Sequence, residues 1–482
     1  MQQRFDGAKS AEELIRSSRA GAMRGVDLIP SVNVADEERS ELELALRPSV
    51  MAGPLAAALH RAGLAPSNGG PACHILDVRY EPGERCTILY ELGDRLALGT
   101  LVWGAARERT GEAGGCVVAP RMRVDFFPAD PAMPGLATAM RPEKMVAALG
   151  DVLAGCREGE WRGARCRVTA LRYRPARRCT LRLELWARHA GTGVLASRTL
   201  FGKVYHSTEK ARSVFEQMQT LSDVIRPRAG RLVVARVAGF LPDLPMVVQE
   251  PLQGVPLDLL LHRTNGPTGV DRRGERGVVM AGAALTVLHG LDLTHPRRRS
   301  IGEELQRMAY RSRPAARVDP GLGARMADLA AVLLHCFEPL SREGGKQRIV
   351  HADCKPSQFL IDGTKVGLLD FDHAGMADPA LDVGTFMASL RQLGCRRSPK
   401  ARRPTVSNMD RWMCLERSFL DSYCRSTDVD DDFRQRAVWY EAFALLRKAQ
   451  RAFARSFRSP VAGLLVDEAR LCLLSVEARG AS

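Results

Sequence analysis

Long apolar runs are missing from this sequence. No stretch of about 18 uninterrupted apolar residues occurs, and the opening MQQRFDGAKSAEELIRSSRAG holds no apolar core of signal-peptide length. Neither a membrane span nor a secretory leader is expected, which points to the cytoplasm. The twelve cysteines form no Cys-x-x-Cys pair and no Cys/His cluster at zinc spacing, so they read as reduced, mostly buried thiols. The formal charge is +15, carried mainly by arginine, but the arginines lack interleaved aromatics and any known nucleic-acid motif. A nucleic-acid partner is therefore disfavoured. With 45% apolar and 26% charged residues, the composition excludes disorder.

What is present is a chain of 482 residues, long enough for two or three packed units. Residues 1 to about 70 read as helix and loop, with SAEELIRSSRAGAM opening a first helix and ADEERSELELALRPSVMAGPLAAALHRAGL carrying helical spacing. From residue 75 the period becomes strand-like and a repeat emerges. YEPGERCTILYEL, from Tyr80, and YRPARRCTLRLEL, from Tyr173, match at Tyr, Pro, Arg, Cys, Thr, Glu and Leu. Each copy reads as strand, turn and strand, followed by a third strand, LALGTLVWGAA or SRTLFGKVYHS. Only the second copy has a lysine there, Lys203, and only it continues directly into a helix, EKARSVFEQMQTLSDVI. A lysine inside an apolar strand is costly to bury unless its ammonium meets an anion such as a phosphate. The first copy reads as scaffold.

Between the copies, RVDFFPADPAMPGLATAM reads as a proline-rich connector and a helix. RLVVARVAGFL and PMVVQEPL read as strands leading to a hinge at Gly254. Beyond it the sequence is mainly helical: VPLDLLLHR, GVVMAGAALTVLHGLDL, GLGARMADLAAVLLHCF and four later segments. DRRGERG and GCRRSPKARRPT read as solvated loops.

One stretch carries chemistry: RIVHADCKPSQFLIDGTKVGLLDFDHAGMADPALDVGTF. Its period gives strand, polar loop, strand, turn, strand, and then a loop opening a helix. Two apolar strands then deliver Asp353 and Asp370 to adjacent loop ends, which suits metal-assisted phosphoryl transfer. His351 is expected to hold the loop and Asp382 to bind loop amides as a structural carboxylate.

With His351-x-Asp353, then Gln358, Asp370-Phe371-Asp372 and Asp378-Pro379-x-x-Asp382, the stretch resembles the aminoglycoside phosphotransferase and choline kinase-like branch of the protein kinase-like fold. The resemblance implies an α+β bilobal fold: a small antiparallel sheet with one helix, and a larger, mainly helical lobe. Its expected boundaries are residues 1–160 for an extension or cap with a degenerate repeat of the small-lobe strands, 161–252 for the small lobe and 253–482 for the helical lobe. It implies catalytic roles for Asp353 as general base and for Lys355 at the transferred group. ATP would be held by Lys203, its partner Glu216 and the hinge residues Gln249, Glu250 and Leu252. Mg²⁺ would take Asp370, Gln358 and Asp372 as ligands. Glu209 is a second candidate partner for Lys203, and Asp372 reads equally as a solvated acid.

Two departures stand out. Gln358 replaces the usual asparagine, which extends the carboxamide by about one methylene, roughly 1.5 Å. The RPARR turn lacks the glycines that let backbone amides wrap phosphates, which leaves Arg177 or Arg178 to act by charge, although the equivalent Arg85 in the copy without the lysine favours a structural role for Arg178. The expected activity is ATP- and Mg²⁺-dependent phosphorylation of a hydroxyl on a small molecule, a sugar or other polar metabolite. A polycationic aminoglycoside is disfavoured by the basic chain, with DVDDDF as the one local acidic run. The alternative is a pseudokinase that binds nucleotide without turnover. ATP versus GTP, the acceptor and the oligomeric state stay open.

Overall fold

The computed structural model describes residues 36–64, 72–81, 83–104, 116–118, 122–154, 161–226, 230–262, 272–295, 297–342, 346–397, 406–430, 432–455 and 459–480. The chain forms two compact units, Met1–Gln219 with Arg236–Pro251, and Thr220–Ala235 with Leu252–Ser482. The first helix expected from SAEELIRSSRAGAM lies outside the described residues.

The first unit opens with α1 (Asp36–Ala45) and α2 (Pro48–Arg61), broken where Pro48 starts a new helix. Five strands follow: β1 (Cys73–Glu81), β2 (Arg85–Leu92), β3 (Arg95–Val102), β4 (Cys116–Val118) and β5 (Met122–Phe126). They pair antiparallel in the order β1-β2-β3-β5-β4. RVDFF, expected as connector, thus falls mostly in β5, which lies between β3 and the edge strand β4. Next come α3 (Pro134–Ala139), α4 (Pro142–Ala154), β6 (Trp161–Arg174), β7 (Arg178–His189), β8 (Leu195–Tyr205) and α5 (Thr208–Ile225). RLVVARVAGFL, expected as one strand, is two: β9 (Leu232–Val234) belongs to the second unit and β10 (Val237–Leu241) to the first, the chain crossing at Ala235-Arg236. With β11 (Met246–Gln249) the second sheet runs β6-β7-β8-β11-β10, the same antiparallel order as the first.

The likeness extends to the helices. α2 packs on β1, β2, β4 and β5, and α4 packs on β6, β7 and β10. In β7, Cys179, Leu181, Leu183 and Leu185 point into a core shared with Met133 and Leu136 at α3 and Met145 and Leu149 on α4. Each leucine buried there contributes about 1.5–3 kcal/mol. Thr180, Arg182 and Glu184 alternate onto the half-exposed face, with Lys203 opposite Thr180.

The second unit holds β12 (Val255–Pro256), α6 (Leu257–His262), α7 (Arg272–His289), α8 (Ile301–Val318), α9 (Pro320–Arg342), β13 (Arg348–Val350), β14 (Phe359–Asp362), β15 (Lys365–Leu368), β16 (Gly375–Ala377), α10 (Ala380–Arg397), α11 (Val406–Ser426), α12 (Phe433–Arg455) and α13 (Pro460–Gly480). DRRGERG is mostly the first turns of α7 rather than a loop. Its glycines disguised the helix, yet Gly277 is a packing residue: a Cβ there would meet Leu257 Cδ1 at 2.6 Å, and one on Gly282, further along α7, the Phe419 carbonyl at 2.7 Å. GCRRSPKARRPT likewise begins inside α10, and its residues 398–405 lie outside the described residues. Gly254 has a φ of 125°, and a side chain there would press on the Leu360-Ile361 backbone. Among the described residues no single helix is long and apolar enough to cross a membrane.

Candidate active site

β13 pairs with β16, while β14 pairs with β12 and β15, and β15 runs parallel to β9. The strands that precede Asp353 and Asp370 therefore belong to different sheets, and only their loop ends are adjacent. The two loops are stitched by hydrogen bonds instead. His351 Nδ1 accepts from the Asp353 amide at 3.2 Å, so its Nε2 carries the proton and donates to the Leu369 carbonyl at 2.7 Å. The Leu369 amide donates to the Gln358 carbonyl at 2.9 Å.

Beneath the loop lies Asp382, fully buried at the start of α10. It accepts the His351 amide at 2.6 Å and the Ala352 amide at 2.7 Å, and contacts His289 Nε2 at 3.1 Å, whose Nδ1 meets the Tyr423 hydroxyl at 2.7 Å. Burial opposes its ionisation, but His289, His351 and these amides outweigh burial and hold the carboxyl below its ordinary range. The amides it receives belong to the loop that carries Asp353, not to its own helix. Ala352 and Asp370 both adopt left-handed backbone, with φ of 61° and 69°, strain of about 1–3 kcal/mol each that this framework must sustain.

Asp353 is half-buried, and its Oδ2 pairs with Lys355 Nζ. Burial works against the charge, but Lys355, His351 and Arg451 overcome it and hold the carboxyl well below the usual carboxylate range. Asp353 is therefore an anion at neutral pH. The Gln358 carboxamide meets Asp370 Oδ2 at 3.1 Å, and the buried Asp372 lies two residues on. His373, which the sequence did not single out, is half-buried beside Asp372, and burial, with Arg299, lowers its pKa to about 4 against the pull of Asp353, Asp372 and Asp370. Its position after the Asp-Phe-Asp run was the only signal for it. Among the described residues no three His, Cys, Asp or Glu side chains converge as a metal cage. A cation here would rest on Asp370 and Asp372, and on the Gln358 oxygen only with its carboxamide, whose nitrogen donates to Asp370, turned over; that is a hard donor set suited to Mg²⁺, which keeps several waters or phosphate oxygens.

The remaining expected site residues lie elsewhere in the chain. Lys203 sits on β8 beside Thr180 and Val247, and Glu216 is exposed on α5. Glu209, in the first turn of α5, is held low by its own backbone amide and Ser207. Gln249 ends β11 and is buried, whereas Glu250 accepts from Arg198 at 2.6 Å. Leu252 begins the second unit's share of the chain after Pro251. The acidic run DVDDDF is partly neutralised: Asp430 accepts both Arg436 terminal nitrogens at 2.8 Å, and Arg436 Nε reaches Asp378 at 2.7 Å.

Against this geometry, residues 186–400 match the phosphotransferase enzyme family. The matched segment runs from the second half of β7 through both aspartate loops. No curated protein matches the chain in sequence. Among solved structures, the choline kinase LicA from Streptococcus pneumoniae is 10% identical over 69% of this chain and 98% of its own, with a TM-score of 0.43. A choline kinase from Cryptosporidium parvum is 8% identical over 70% and 97%, at 0.47. The macrolide 2'-phosphotransferase MphH from Brachybacterium faecium is 15% identical over 65% and 97%, at 0.38.

Proposed function

We propose that the protein transfers the γ-phosphoryl group of ATP to a hydroxyl of a small polar molecule. The observation that carries this reading is the ionised Asp353, paired with Lys355 on a loop clamped by Asp382 and stitched to the Asp370 loop. An aspartate held this far down is a strong hydrogen-bond acceptor and a weak base. It orients the hydroxyl in line and takes its proton late, which suits a loose transition state in which the attacking oxygen develops little positive charge. Lys355 keeps Asp353 charged and supplies an ammonium for the transferred group. Asp370, Asp372 and Gln358 are the residues that would hold Mg²⁺, whose charge would offset that of the phosphates. Lys203 with Glu216 serves the nucleotide phosphates, and Gln249, Glu250 and Leu252 the adenine.

One observation favours a second reading, a nucleotide binder without turnover: the Gln358 amide nitrogen faces Asp370, so the oxygen is turned away from the metal carboxylate. A panel of polyols, amino alcohols and hydroxy acids incubated with γ-labelled ATP separates the two. Label should appear on an acceptor, and Asp353→Asn should cut that rate by about 10²–10⁴ while ATP still raises the melting temperature. ATP binding without phosphate consumption across the panel would establish the second reading.

A further inference from the structure

Beside the Asp353 loop, the second unit gathers arginines that the transfer chemistry does not use. The segment Arg297–Arg299 lies along β16: Met376 donates to the Arg297 carbonyl at 2.8 Å and Arg299 donates back to the Met376 carbonyl at 3.0 Å. Strand alternation puts the Arg297 and Arg299 side chains on one side. Arg297 donates to the Asp372 carbonyl at 3.4 Å. Arg299 is half-buried, and its Nε is buried with no hydrogen-bond acceptor among the described residues. A buried guanidinium nitrogen left without an acceptor is costly.

From the other side, α12 supplies Arg447 and, one turn later, Arg451. Arg447 is half-buried over the Phe443 ring, 5.7 Å from its centre, and makes no hydrogen bond or ion pair among the described residues. Burial, together with Arg451, Arg299 and Arg311, pushes its pKa down to about 10, with Glu304 pulling the other way. Glu304 is already shared with Arg307 at 3.0 Å and Arg311 at 3.7 Å. Gln450 on α12 donates to the Met308 carbonyl and the Ser312 hydroxyl of α8, both at 2.9 Å, which holds α12 against the helix that Arg299 precedes, and the charges of Arg451 and Arg299 interact with that of Asp353. The Arg299 Nε and the Arg447 guanidinium thus lack an acceptor among the described residues, and such groups repel a quaternary ammonium or a polyamine and attract an anion.

We propose that Arg299, Arg447 and Arg451 form the acceptor subsite and that the acceptor is a hydroxylated anion, carrying a phosphate or carboxylate beside the hydroxyl that Asp353 orients. The inference rests on the phosphotransfer reading for the word acceptor, but its test does not need turnover. Calorimetric titration of the full chain without nucleotide uses glycerol 3-phosphate, glycerate, glycerol and choline. At least one anion should bind about tenfold or more tightly than glycerol and choline, and the order of phosphate and carboxylate names the charged group. Arg447→Ala and Arg451→Ala should each remove about tenfold of that binding, with Arg447→Lys retaining most of it. Arg451 is exposed, so its variant decides the question even if Arg447→Ala fails to fold. Glycerol or choline binding as tightly as the anions, no anion binding, or an anion preference that survives Arg451→Ala would overturn the proposal. So would variants in which only the KM for ATP rises, because the cluster would then belong to the nucleotide. Arginine-dependent anion binding with no label transfer would support the subsite and remove the transferase reading alone.

Discussion

The sheet β1–β5 and the sheet formed by β6–β8, β10 and β11 are two versions of one construction. In each, a tyrosine near the end of the first strand donates to a carboxylate from upstream: Tyr80 to Glu38 at 2.7 Å, Tyr173 to Asp130 at 2.8 Å. The same carboxylate oxygen accepts the amide three residues past the tyrosine, Gly83 at 3.0 Å and Ala176 at 2.8 Å, and both residues are left-handed, with φ of 77° and 56°. Gly99 on β3 and Gly202 on β8 each lie under a methionine sulfur, of Met122 and Met246, where a Cβ would come within 3 Å. The faces differ. On the first sheet, the positions matching Arg182 and Lys203 hold Leu89 and Thr100, and Leu89 and Leu96 are buried in the core shared with β6–β8. The second sheet leaves that face half-exposed and charged. A common scaffold thus carries a buried apolar face in one place and a half-exposed charged face in the other, and the difference lies in side chains on that face.

The hardest way to break that contrast is at the paired positions Lys203 and Thr100, both opposite a threonine of the preceding strand. If only the second face meets nucleotide phosphates, Lys203→Ala should lower kcat/KM for ATP by about 10²–10³, in the range seen on removing one preorganised donor, whereas Thr100→Ala should change it less than about twofold. Equal losses in steady-state assays would mean that the two sheets are not functionally distinct.

How much of this was legible in the sequence follows from what the letters encode. Tyr80, Cys86, Tyr173 and Cys179 exposed the duplication because identical residues at identical spacing need no structure to be seen. The matching helix pairs were hidden, since α1–α2 and α3–α4 share geometry without sharing residues, and the clamp uses Glu38 in one copy and Asp130 in the other. The aspartate loops were readable for the opposite reason: phosphoryl transfer demands particular side chains at fixed spacing. Helix α8 escaped although Ser300 accepts the Glu303 amide at 3.3 Å, the start of a capping motif, because Pro314 sits inside the run that follows. The arginines around Asp353 could not be found, because residues 299 and 447 meet only through the fold.

A sharper comparison concerns the two clamps. Asp130 and Glu38 are both buried, so Asp130→Ala and Glu38→Ala each strand a tyrosine hydroxyl and a turn amide, and each should cost about 2–3 kcal/mol in urea unfolding. Asp130 carries an extra bond, from the Ala132 amide at 3.0 Å, which puts its loss at the upper end. The variants should part company in catalysis: Asp130→Ala loosens the turn beside Lys203 and should raise the KM for ATP, while Glu38→Ala should leave that KM alone.

The smallest expected effect concerns the turns themselves. Because the Ala176 amide is already given to Asp130, the second turn cannot offer it to a phosphate, and any anion must be met by side chains. There the copies have opposite charge: Glu81 and Glu84 in the first turn stand where the second has Arg174 and Arg177. Arg85 pairs with Glu81 at 3.3 Å and is exposed, whereas its counterpart Arg178 is buried and stands opposite Arg174, which replaces Glu81. Converting the second turn to the first, with Arg174→Glu and Arg177→Glu together, should raise the KM for ATP by about tenfold at low ionic strength and by less at about 0.5 M salt, because exposed charges act through screened long-range attraction. The reverse exchange, Glu81→Arg with Glu84→Arg, should leave KM unchanged. If the first exchange has no effect at either ionic strength, the charge inversion between the turns is incidental, and the difference between the sheets reduces to the face that carries Lys203.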